Sequence, residues 1–195
     1  MTHFKQAMLA LGALVALAGC ETPVPSDKLP EMTFRHLQPI QLLVSDIQIE
    51  TTAPASTEPP NIGHLFPTPP EQALRNWARD RLVARGTGGS ARFTITKAEA
   101  VRTSLQTDRG MAGLFKKELS DRYEGQIEAV LTVVDATGTR RARVEGRADH
   151  AATVREDATL AERRRIMYEL VEKMMTDFNV EMERNINTYL RDHKL

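Results

Sequence analysis

Few residues of this chain are equipped for covalent chemistry. There is one thiol, Cys20, and there are five histidines, His3, His36, His64, His150 and His193. A thiolate is a nucleophile, a metal ligand or the acceptor of a modifying group. None of the histidines stands at helical or strand spacing from an Asp, Glu or Cys that would complete a metal site, so no metal is predicted. His150 falls on the apolar face of a strand, the place of a hydrogen-bonded core histidine. Gly86-Thr87-Gly88-Gly89 lacks the lysine and the helix that a phosphate loop needs. No G-x-S-x-G turn is present. The carboxylates are spread along polar faces rather than paired in an apolar setting. Cys20 therefore carries the only specific chemical signal.

Its surroundings give that signal a direction. Lys5 makes a short positive start, Ala7 to Ala16 (AMLALGALVA) run without a charge, and Leu17-Ala18-Gly19 precede the cysteine. A basic start, a short apolar run and small residues at the exit are the parts of a secretory signal peptide. Ten apolar residues are too few to span a bilayer, which takes ~20. Leu-Ala-Gly-Cys resembles the lipobox of bacterial lipoproteins. The resemblance implies a chain cut before Cys20, whose thiol carries diacylglycerol and whose amine usually receives a fatty acyl group. One acyl chain holds a membrane marginally, and two or more hold it stably. Glu21 stands where Asp is the common signal for retention at the inner membrane. This points to the outer membrane, with the inner membrane as the alternative.

Composition bounds the rest. Of 195 residues, 176 remain after residue 19, enough for one domain and a tether. Lys+Arg and Asp+Glu are 26 each, and only Lys5 lies in the leader, so the mature chain has a net charge of −1. No basic excess recommends nucleic acid as a partner. One Trp and an aromatic share of 5% offer no stacking platform.

The elements follow in order. Glu21 to Pro30 holds three prolines and reads as a semi-extended stretch, within a tether over 20–38. Ile40 to Glu50 is a strand whose apolar parity slips at Ser45-Asp46, through a bulge or a plain irregularity. Thr51 to Pro70 holds six of the ten prolines and reads as a loop. It is either disordered or plugged onto the core by Leu65 and Phe66. Thr68 caps a helix carrying Leu74, Trp77, Ala78 and Leu82, with Gly86 at its end. Trp77 belongs to the core. Ala91 to Thr103 is a strand. Ser104 to Ser120 breaks the pattern, with Met111, Leu114 and Phe115 beside Gly110 and Gly113 as a docking tip or a loop folded over the sheet. Asp121 to Asp135 and the return strand through Ala152 form a hairpin with one apolar and one charged, solvated face. Thr159 and Glu162 form a capping box for a helix of ~30 residues. Its stripe is Ile166, Met167, Leu170, Val171, Met174, Phe178, Ile186 and Tyr189, with Met182 at the edge. The methionines fill core gaps or make an adaptable surface. The part past Met182 is expected to overhang the sheet and meet a partner or the membrane.

This order after a lipobox resembles small periplasmic lipoproteins of Gram-negative envelopes. Among them are the auxiliary lipoproteins of ABC-type lipid-transport systems, with the lipopolysaccharide-assembly lipoprotein as a neighbour. Met111-Ala112-Gly113-Leu114-Phe115 to Arg122-Tyr123, Glu156 to Leu160 and Glu183-Arg184-Asn185-Ile186 also look like a proteobacterial lipoprotein family with no assigned activity. The auxiliary group implies a non-enzymatic partner of an envelope complex.

The prediction is an α+β domain over 39–195, with a four-stranded, mainly antiparallel sheet and two helices on one face, in the order β-α-β-β-β-α. Residues 1–19 are the signal peptide. Cys20 is the lipid attachment site. Met111, Leu114 and Phe115 are candidate partner contacts. No cofactor beyond the Cys20 lipid is expected. The expected role is binding or assembly with an envelope protein on the periplasmic side. The rivals are a carrier shielding an apolar ligand between sheet and helices, and an enzyme.

Overall fold

The computed structural model describes residues 28–52, 54–105 and 119–195. Cys20, the signal peptide, Met111, Leu114 and Phe115 lie outside them. Alternating apolar residues build the main sheet. Its strands are β2 (Asp46–Thr51), β4 (Ser90–Ser104), β5 (Leu119–Val134) and β6 (Arg141–Arg155), ordered β2-β4-β5-β6. β4, β5 and β6 are antiparallel, and β2 joins β4 in parallel, so the sheet is mainly antiparallel as expected. A parallel pair needs a crossover. Helix α1 (Pro70–Arg81) supplies it and lies across β4 and β5. Helix α2 (Leu160–Tyr189) covers β5 and β6 on the same face.

The parity slip at Ser45-Asp46 is a break between two sheets, not a bulge within one strand. β1 (Ile40–Leu42) leaves the main sheet and pairs in parallel with β3 (Leu82–Ala84). For the same reason α1 stops at Arg81, short of Gly86, because Leu82 turns extended and enters that pairing. The N–H of Gly86 instead bonds the Val44 carbonyl at 2.9 Å. Thr68 does not cap α1; Pro69 holds the N-cap position without a side-chain bond. A bulge does occur, between Ile95 and Lys97 in β4. There the Thr96 hydroxyl donates to a Glu128 carboxylate oxygen at 2.8 Å.

The core lies between the sheet and the two helices. Trp77 stacks obliquely on Phe93 (centroids 5.6 Å) and meets Phe178 edge-on (5.3 Å). Its indole N–H donates to Asn179 Oδ1 at 2.8 Å, tying α1 to α2. Arg81, buried at the end of α1, reaches Glu183 of α2 at 3.0 Å. The small residues of the hairpin let α2 lie close. A Cβ on Gly125 would sit 2.6 Å from the Met174 sulfur, and one on Gly146 would sit 3.0 Å from the Phe178 ring.

Three segments read as loose are bound in. Met32 and Phe34, inside the expected tether, are buried, and the Phe34 N–H donates to Asp80 of α1 at 2.8 Å. In the proline-rich loop Phe66 is buried while Leu65 is exposed, and Asn61 bridges to Val101. Its described residues are thus plugged by Phe66 and Ile62 rather than by Leu65. The end of α2 does not overhang. Met182, Ile186 and Leu190 are buried, and the chain returns so that the Leu195 N–H bonds the Gln41 carbonyl at 3.0 Å.

Candidate functional site

The capping box places the start of α2. Thr159 Oγ1 accepts from the Glu162 N–H at 3.2 Å, and Glu162 accepts from the Thr159 N–H at 2.7 Å. The Thr159 N–H bond first, and the Thr159 hydroxyl donating to the same carboxylate oxygen at 2.9 Å second, hold the Glu162 carboxyl below its ordinary value. Beyond the cap, no residue from Leu160 to Ile166 is buried. The solvent-exposed turns therefore sit at the N-terminal end of the helix, opposite to the expectation, although Ile166 packs partly against the core. Leu160 is 73% exposed. Arg163 is committed inward, to Asp121 at 2.8 Å and to the Ala158 carbonyl at 3.2 Å. Arg164 and Arg165 point outward, and among the described residues neither side chain has a hydrogen bond or an ion pair. Lys28, Leu29 and Pro30 lie against the same turns and share a depression of about 610 Å³ with Leu160, Arg164 and Arg165. A second one, of about 530 Å³, continues past Glu31 to Gln72, Asn76 and Arg79 of α1.

On the flank of α2 an apolar slot of about 260 Å³ runs between the helix and the segment 31–37. Tyr168, Met175 and Val180 line one side, and Met32, Phe34 and Leu37 the other. Burial first, and the neighbouring Glu172 second, raise the Tyr168 phenol above its ordinary value. Tyr168 and Met175 are buried although the helical stripe read from sequence omits them, and Tyr189, which it includes, is 67% exposed. The 31–37 segment gives α2 a second buried side. The alternation of Met32 and Phe34 ahead of the first strand was the signal for it.

The open face of the sheet is charged, as expected. Arg92, Thr132 and Arg143 stand in one row across β4, β5 and β6. Glu50 approaches Arg92 at 3.6 Å. His150 is not a core residue. Its ring Nε2 lies 2.7 Å from Asp177 Oδ2, and its side chain is one-third exposed at the sheet edge. Among the described residues no group of three His, Cys, Asp or Glu could hold a metal ion. No described helix is long and apolar enough to cross a membrane.

No family model matches the chain, and no curated protein matches it. Among solved structures it is similar to the rare lipoprotein B from Shewanella oneidensis, with 11% identity over 74% of this chain and 96% of that chain. The TM-score is 0.37, too low to carry an argument about fold or activity. The family resemblances therefore rest on the residues quoted for them.

Proposed function

We propose that this is a lipid-anchored envelope lipoprotein that works by binding and assembly rather than by catalysis. The observation that carries the reading is the Leu17-Ala18-Gly19-Cys20 exit from an apolar leader. Cys20 bears the lipid, and Glu21 sorts the mature protein to the periplasmic face of the outer membrane. Its partner is an envelope protein, with Met111, Leu114 and Phe115 as the apolar contacts. The described surface supports this reading over an enzyme. The His150–Asp177 pair is the close histidine–carboxylate contact there, and no nucleophile is bonded to it.

The layout also favours assembly over a carrier between sheet and helices. Met174, Phe178 and Met182 sit directly on Gly125 and Gly146, which leaves no room for an apolar ligand along the hairpin. The test is affinity capture of the acylated protein from detergent-solubilised envelopes, beside the triple variant Met111→Ser, Leu114→Ser and Phe115→Ser. A specific envelope protein retained by the native chain and lost by the variant is expected. Recovery of no envelope protein, or equal recovery by both, contradicts the partner assignment.

A further inference from the structure

We infer that the exposed start of α2, together with the 28–31 segment, is a face that lies on an anionic lipid leaflet. The inference rests on the lipid-anchor reading and adds the orientation of the domain.

Three observations carry it. The two connected depressions are lined by four cations, Lys28, Arg79, Arg164 and Arg165, and one anion, Glu31. Of the other carboxylates at this end three are committed, and the residues linking Cys20 to Lys28 add Glu21 and Asp27. Asp157 pairs with Arg155 at 3.1 Å, Glu162 serves the cap and Asp121 holds Arg163; Glu156 stands on the preceding turn. Next, Arg164 and Arg165 are exposed on the second turn of α2, and among the described residues their side chains make no hydrogen bond or ion pair. Exposed Leu160 stands beside them. An apolar side chain ringed by guanidinium groups is the composition of an interfacial lipid contact. Last, Cys20 is eight residues before Lys28. Eight residues reach at most about 29 Å. An anchored chain therefore keeps this face within that distance of the headgroups, while Tyr189 lies ~45 Å further along the helix. Charge complementarity and the entry point of the chain both select anionic phospholipid as the occupant.

The test has two arms. The mature chain from residue 20, carrying Cys20→Ala, is mixed with vesicles of phosphatidylcholine alone or with three-tenths phosphatidylglycerol, at low and high salt. Preferential, salt-sensitive partition onto the anionic vesicles is expected. Each arginine removed should weaken it about fivefold, the equivalent of ~1 kcal/mol per cation at such a surface. Arg164→Glu with Arg165→Glu should weaken it by more than about 25-fold. Both side chains are exposed and pair with no described residue, so the melting temperature should change little, and lost binding cannot be ascribed to unfolding. No partition, equal partition onto both vesicle types, or no effect of the double substitution overturns the inference.

In the second arm the acylated protein, labelled with a fluorophore at Leu160→Cys or Tyr189→Cys, sits on anionic vesicles containing brominated lipid. Stronger quenching at position 160 is expected, and equal or stronger quenching at 189 overturns the orientation. The first arm reads the face without the lipid, so a failed anchor shows instead as an unmodified Cys20 in the mass of the secreted protein.

Discussion

Thr159 and Glu162 are where a short sequence signal and the observed geometry agree atom for atom, and the agreement has measurable consequences. Thr159→Ala removes an N-cap acceptor and should cost ~1 kcal/mol in urea denaturation. Glu162 is held below its ordinary 4.5 by the Thr159 bonds. Its contribution to stability is therefore complete above that value and lost as pH falls through the lowered one. Denaturation midpoints measured down this range should fall less in Glu162→Gln than in the native chain. Tyr168 has the opposite sign. Its phenol is raised above 10.0 by burial and by Glu172. Its contribution is complete below 10.0 and fades as pH rises through the raised value. Ultraviolet titration of the native chain beside Tyr168→Phe should show that this phenol ionises late, and Glu172→Gln should bring it part of the way back.

Packing of α2 on the hairpin makes a prediction of its own. Gly146→Val pushes against the Phe178 ring and the Met182 Cβ, which cannot swing aside. It should cost ~1–3 kcal/mol, the usual effect of overpacking. Gly125→Ala should cost less, because it meets only the flexible tip of Met174. Phe34→Ala should cost ~3–5 kcal/mol, the range for a buried aromatic; an effect near zero would mean that the 31–37 segment is tether after all. The elements were legible in sequence where one period ran unbroken, as in β5, β6 and the length of α2. They were misread where tertiary contacts decide. Apolar parity slips between Val44 and Ile47 and again between Ile95 and Ala98. The first slip is a change of sheet and the second a bulge, and nothing local distinguishes them. Leu82 to Ala84 fit the helix pattern, but pairing with β1 overrode it. The last turns of α2 looked unpartnered because the groups that meet them, Gly146 and the Glu145 carbonyl of β6 and Arg81 of α1, are far away in sequence.

At the scale of the whole molecule, the chain combines a closed two-layer domain with a short stem. Because Met32 and Phe34 belong to the core, the stem between Cys20 and the domain is shorter than composition alone implied. It enters at the same end as Leu160, Arg164 and Arg165. The candidate site was legible in part. Cys20 stood out because a lone thiol follows an apolar leader, whereas the basic face is dispersed over residues 28, 79, 164 and 165 and becomes a patch only on folding. The proposed location, orientation and partner role all depend on Cys20 as the point of attachment. Intact-mass and N-terminal peptide measurement of the protein recovered from bacterial envelopes tests this most directly. It should find a chain beginning at residue 20, with diacylglycerol and fatty acyl on that cysteine, in the membrane fraction. An unmodified Cys20 in a protein released with the soluble periplasmic fraction would contradict it.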